Sequence, residues 1–177
     1  MDMERFCVAA ALPAAMADRW WPHVDATWRE FDISTPARQA AWIAQVGHES
    51  GGFVFTWELW GPTAAQQRYE GRRDLGNTQP GDGKRFMGRG LIQITGRANH
   101  RACGAALGVD LESNPVLLQG DVLAARSVGW FWRWRGLNAL ADAGDFVGLT
   151  RRINGGTNGL ADRQVRWERA RRALGMQ

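Results

Sequence analysis

Leu12, Met16, Trp20, Val24 and Trp28 recur at every fourth position, and Phe31 follows three residues later. Apolar side chains at that spacing line one face of an α-helix, so this stretch buries its stripe only as a helix packed on other helices. Pro22 lies inside the stripe without the amide that a helix interior uses, and is expected to kink or break it. The other start and stop signals are helical as well. Thr35 is a suitable N-cap and Pro36 suits the first helical position, with Gly51-Gly52 ending the segment after His48. Asp121, Asp145 and Asp162 are placed to cap helices reaching Trp134, Ile153 and Leu174, closed in the first two cases by Gly136 and by Asn154-Gly155-Gly156. Leu91 to Thr95 alternates weakly and reads as a short strand or a turn into a helix. Residues 61–90 hold many Gly, Pro and charged residues and look irregular, and a loop that long in a small domain is usually functional or disordered. The expected fold class is mainly α, with at most a small β hairpin.

A chain of 177 residues fits a single domain, 1–177, long enough to bury a core without covalent staples. Cys7 and Cys103 make no disulfide framework and are expected to be free thiols. His23, His48 and His100 are scattered without a second ligand at metal spacing, so neither a metal nor another cofactor is expected. No apolar run approaches the roughly 18 residues of a membrane span. The first residues carry Asp2 and Glu4 against Arg5, and Pro13 interrupts the apolar run that follows, so no cleavable signal is expected. The Gly-rich run near Gly88 lacks the Lys-Ser/Thr of a phosphate loop, and no nucleophile elbow for a serine hydrolase is present.

Two acids stand out. Glu49 falls at the end of the helix that Thr35 starts. The partial negative charge of a helix C-terminus disfavours a carboxylate there, which suits a proton donor, and Trp42, Phe53 and Phe55 are expected to add desolvation. Glu58 lies past the Gly-Gly turn. Glycoside cleavage needs such a pair, about 5–5.5 Å apart for a direct nucleophile and about 6.5–9.5 Å apart when the second acid activates water. Glu70 and Asp74 are rival second acids. If residues 91–95 are extended, Gln93 and Thr95 point to one face and can hold a water or a sugar hydroxyl. Gly88 and Gly90 would let the backbone approach a substrate closely. Most of the ten Trp are expected in the core, with a subset free to stack on sugar rings.

His48-Glu49-Ser50-Gly51-Gly52, the spacing to Glu58, the run Gly88-Arg89-Gly90-Leu91-Ile92-Gln93-Ile94-Thr95-Gly96-Arg97-Ala98-Asn99 and Ile153-Asn154-Gly155-Gly156 stand in an order that resembles glycoside hydrolase family 19, over about residues 35–160. The resemblance implies a lysozyme-like, two-lobed, mainly α fold around a central groove, and inversion at the anomeric carbon without metal. By the same resemblance Glu49 takes the general-acid place, Glu58 the general-base place, and Thr95 that of the hydroxyl holding the attacking water. Gln93, Asn99 and Asn154 match sugar-binding positions. The chain departs from the plant chitinases of the family: it lacks their several cysteines and their chitin-binding module, Thr95 replaces the usual Ser, and Gly96 and His100 stand where aromatics are common. In these respects it looks like the phage and prophage endolysins of the family.

That likeness implies cleavage of β-1,4 bonds between amino sugars of bacterial cell-wall peptidoglycan, by a protein made in the host cytoplasm that reaches the wall after release. A chitinase and a catalytically silent glycan-binding module are the alternatives, and paired acids speak against the second. Residues 163–172 carry five Arg against one Glu, an excess equal to the net charge of +4. A basic helix over about 162–174 is expected to dock on anionic outer-membrane or wall groups, with a merely solvated face as the competing reading. Because the excess sits at one end, nucleic acid is not an expected partner. A monomer is expected.

Overall fold

The computed structural model describes residues 1–176. In chain order its helices are α1 (Met3–Ala10), α2 (Ala14–Glu30), α3 (Pro36–Glu49), α4 (Ala64–Gln67), α5 (Asp82–Arg85), α6 (Arg97–Leu107), α7 (Asp121–Trp134), α8 (Leu137–Asp142), α9 (Phe146–Asn154) and α10 (Leu160–Ala173). Among the described residues there is no strand, only isolated bridges from Arg89 to Trp57 and to Ile94. The fold is mainly α, as the helical periodicity implies.

The chain divides into two compact units. One holds residues 1–54 and those from 131 onward, the other Phe55–Trp130. In the first unit α3 is the central helix. Residues 39–47 are buried without interruption, which a helix tolerates only when other elements cover every side. It packs chiefly on α10 and also on α1 and α8, while α1 lies on α2 and α10. The apolar centre is aromatic. Phe6 touches Trp21, Trp28 and Phe53, Trp42 lies edge-on to Trp28, and Trp20 donates its indole N–H to the Phe53 carbonyl at 2.9 Å.

Several local expectations change. The helix α2 runs through Pro22 without a break. Pro22 and Asp18, whose carbonyl loses its partner, are both exposed, so that group lies on the side open to solvent, while Trp20, Val24 and Trp28 anchor the buried face on both sides. Leu12, the first member of the stripe, falls in the turn between α1 and α2, and α1 is a separate helix capped by the Asp2 carboxylate. Thr35 and Asp145 cap α3 and α9 as expected. Asp121 is the first residue of α7. Asp162 caps nothing: α10 starts at Leu160 after Gly159, and the Asp162 carboxylate instead binds His48 Nδ1 at 2.7 Å and Arg166 at 2.8 Å.

The second unit is short of regular structure, and side chains supply the missing backbone partners. Gln66 accepts the amides of Gly61 and Thr63 and donates to the Leu59 carbonyl. Glu70 accepts the amides of Gly81 and Gly83 at 2.6 and 2.8 Å. The fully buried Asn77 donates to the Tyr69 carbonyl and accepts the Arg97 amide. Asp82, 2% exposed, receives the amides of Thr78 and Gln79 and the Arg97 guanidinium, which holds its carboxyl below the usual range. Buried polar groups that meet one another fix an irregular chain as firmly as a ladder would. The irregular stretch expected over residues 61–90 is thus an ordered loop, interrupted by α4, α5 and a single 3-10 turn at Arg73–Leu75.

Candidate active site

Glu49 is the last residue of α3. The turn after it explains the Ser-Gly-Gly-Phe sequence. The Ser50 hydroxyl donates to the Val46 carbonyl at 2.6 Å and accepts the Phe53 amide at 2.8 Å, and Gly51, Gly52 and Phe53 all take positive φ. Glycine makes the first two positions free of strain. Phe53 is carried through by its place in the aromatic centre.

The partner of the Glu49 carboxylate is a cation. Arg163 of α10 donates to Glu49 Oε1 at 2.5 Å. Arg163 is 2% exposed and Glu49 21%. The same guanidinium donates to the Gln45 amide oxygen and, at 3.2 Å, to the Asn158 carbonyl. Gln45 in turn donates to Thr150 at 2.8 Å, and Thr150 to the Phe146 carbonyl. Asn154 joins this network: it donates to the same Asn158 carbonyl at 3.0 Å and accepts the Gly156 amide at 2.8 Å. Glu49 and Asn154 are therefore tied together through Arg163 and residue 158.

Glu58, Gln93, Thr95 and Asn99 lie in the second unit, the first three around Gly88. Glu58 exchanges backbone and side-chain bonds with Gly88: its amide donates to the Gly88 carbonyl at 2.9 Å, and the Gly88 amide donates to Glu58 Oε2 at 3.2 Å. A Cβ on Gly88 would stand 2.6 Å from the Gln93 amide oxygen and 3.3 Å from the Thr95 hydroxyl. Gln93 and Thr95 do converge, but through a turn and not an extended segment. Gln93 has φ +55, which costs a non-glycine residue roughly 1 kcal/mol or more. Strain of that kind at a polar cluster fits a functional constraint. Thr95 donates to the Gln93 carbonyl at 2.9 Å, and Asn99 to the Thr95 carbonyl at 2.8 Å. A Cβ on Gly88 would displace the Gln93 amide, and Gly90 takes φ +78 with the Ser127 hydroxyl 2.5 Å from where a Cβ would stand, so local packing and backbone conformation favour both glycines.

The rival acids are occupied. Glu70 holds the Gly81 and Gly83 amides, and Asp74 is paired with Arg72. No cluster of three or more His, Cys, Asp or Glu among the described residues is placed to hold a metal ion. Both cysteines are free thiols, and burial pushes the Cys103 thiol up to about 12. Trp57, beside Glu58, is 44% exposed, whereas Trp20, Trp28, Trp42, Trp130 and Trp132 are core.

A family model described as class I chitinase, that of glycoside hydrolase family 19, matches residues 25–139, well over half of the chain. The chain belongs to glycoside hydrolase family 19. The matched stretch contains Glu49, Glu58, Gln93, Thr95 and Asn99, while Asn154 lies beyond it. A family 19 domain-containing protein of Haemophilus influenzae is 33% identical over 153 residues, covering 71% of this chain and 74% of its own. An Arabidopsis thaliana endochitinase is 37% identical over 118 residues, which is 66% of this chain but 39% of the plant protein. The chain thus spans about two fifths of that plant relative's length. Chitinase C of Streptomyces griseus shares the fold with a TM-score of 0.75 at 23% identity, over 99% of this chain and 77% of that one. A bacterial family 19 chitinase does so with a TM-score of 0.74 at 24% identity, over 99% and 95%. The protein is a family 19 glycoside hydrolase, chitinase-like in fold.

The sequence reading counts Arg163 among the five Arg of a docking helix, which its burial against Glu49 corrects, and passes over Gln45 and Tyr69. The signal for Arg163 was present: it stands four, seven and eleven residues before Trp167, Ala170 and Leu174, on the apolar stripe of α10. An Arg on a buried stripe calls for an acid partner.

Proposed function

We propose that this hydrolase cleaves β-1,4 bonds between amino sugars of bacterial peptidoglycan with inversion. Glu49 donates a proton to the leaving oxygen, and Glu58 takes one from the attacking water, which the Thr95 hydroxyl helps to hold. Gln93, Asn99 and Asn154 contact sugar. The observation that carries this reading is the cluster in which the Gly88 amide holds one Glu58 oxygen while the Gln93 amide oxygen and the Thr95 hydroxyl stand against the same glycine. A carboxylate with a hydroxyl and an amide around one backbone position has the parts needed to orient and deprotonate a water. On the other acid, Arg163 and Gln45 fix the carboxyl so that one oxygen has a defined direction.

Peptidoglycan is favoured over chitin by charge. The chain carries a net charge of +4 and meets a wall polymer rich in carboxylates, whereas chitin is neutral. Chitin is the second reading, favoured by the endochitinase names of the plant relatives. Action on the wall after release from the cytoplasm belongs to the first reading. Reducing-end analysis of the fragments from purified sacculi, run beside colloidal chitin, separates the two. New amino-sugar reducing ends from sacculi, at a rate well above that from chitin, are expected; release from chitin alone supports the second reading and refutes the first.

A further inference from the structure

Tyr69 is the one tyrosine of the chain, and it lies in the ordered loop that follows α4. Its hydroxyl donates to Glu58 Oε1 at 3.4 Å, while the Gly88 amide donates to Oε2 at 3.2 Å. Each oxygen of the carboxylate thus has one protein donor. A carboxylate oxygen offers two lone pairs, so one on each oxygen stays available for water. The phenol is aimed by groups beneath it. The Tyr69 carbonyl accepts from Asn77 at 2.8 Å, the Asn77 side chain is fully buried, and its oxygen accepts the first amide of α6, that of Arg97, at 2.9 Å. Burial, and then the Glu58 charge, push the Tyr69 phenol up from its ordinary value, so it keeps the proton that it donates.

We infer that Tyr69 is a positioning residue for Glu58: with Gly88 it fixes the rotation of the carboxylate, so that a free lone pair meets the water that Glu58 deprotonates. The inference rests on the assignment of Glu58 as base.

The test compares Tyr69→Phe, Glu58→Gln and the double variant on a soluble amino-sugar oligomer and on purified sacculi, with kcat, KM and the melting temperature measured for each. Tyr69→Phe is expected to lower kcat about tenfold, the loss of one hydrogen bond to a charged group, with KM unchanged. In the Glu58→Gln background the added Tyr69→Phe change should lower kcat no further. A change in melting temperature does not confuse the outcome, since a purely structural loss persists in that background. A wild-type kcat for Tyr69→Phe beside an inactive Glu58→Gln overturns the inference, as does an equal kcat loss in both backgrounds. Full activity of Glu58→Gln refutes the base assignment itself, a separate outcome.

Discussion

Replacing Arg163 with Met keeps an unbranched stem and removes the guanidinium that joins Glu49, Gln45 and Asn158. The Gln45 amide oxygen belongs to a fully buried side chain and is left without its donor, a loss of about 1–3 kcal/mol. Breaking a buried ion pair from one side costs about 3–5 kcal/mol, but Glu49 is 21% exposed, so water replaces part of the pair and the lower end applies. The Asn158 carbonyl belongs to an exposed residue and adds little. Because the terms share one group they do not add fully, and about 4 kcal/mol is the expected total. For a chain of this size that lowers the melting temperature by about 8–16 °C. The double variant Arg163→Met with Gln45→Leu removes the stranded acceptor and is expected to recover about 1–3 kcal/mol. Thermal melts followed by circular dichroism check both. Turnover of Arg163→Met should fall roughly 100-fold, the scale set by a misplacement of about 1 Å. A single variant that melts within about 2 °C of wild type, or a double variant that loses more than the single one, refutes the network as described.

His100 is fully buried beside Phe86, and burial lowers its imidazole to about 4. The unfolded chain then takes up the proton first, so stability is intact above about 6.5 and declines as pH falls toward 4, by about 3 kcal/mol at most. His100→Gln should flatten that decline in a series of melts, and an unchanged slope between pH 6.5 and 4.5 argues against it. On α10 only part of the basic stretch is available for docking, since Arg163 is internal and Arg166 binds Asp162 and lies 3.2 Å from where a Gly47 Cβ would stand. Changing Arg169 and Arg172 to Gln should weaken binding to sacculi at low salt and leave turnover of soluble oligomers unaltered. Equal binding at low salt leaves those side chains with a solvating role alone.

Helix existence was legible where local chemistry decides it. The Thr35-Pro36 start, the Gly51-Gly52 stop and the Asp145 cap need only their own neighbours. Pro22 shows the limit: the cost of a helix proline depends on whether the freed carbonyl meets water, which is a fact about exposure and not about spacing. An acid before an apolar face, such as Asp162, makes a good cap, but the partners that claim it, His48 and Arg166, come from tertiary packing and the next helical turn. The turn at Gln93 could not be read from alternation, because a residue type with no preference for positive φ adopts it there. In the second unit the Thr63–Gln66 capping box and the bonds of Asp82 to the Thr78 and Gln79 amides are local, but Glu70 and Asn77 find backbone amides 11 to 20 residues along the chain, and no local pattern encodes those pairings. Of the site, the acids and the Gln-x-Thr pair were visible as motifs and Arg163 by its place on an apolar stripe, whereas Tyr69 enters only through contacts.

The most direct test of the account is the anomeric form of the first product. Proton NMR during early hydrolysis of a soluble β-linked amino-sugar oligomer resolves the two anomers before they interconvert. Water activation by Glu58 predicts that the α-anomer appears first. The β-anomer appearing first means retention of configuration, and with it the assignment of Glu58 as the base that activates water is contradicted.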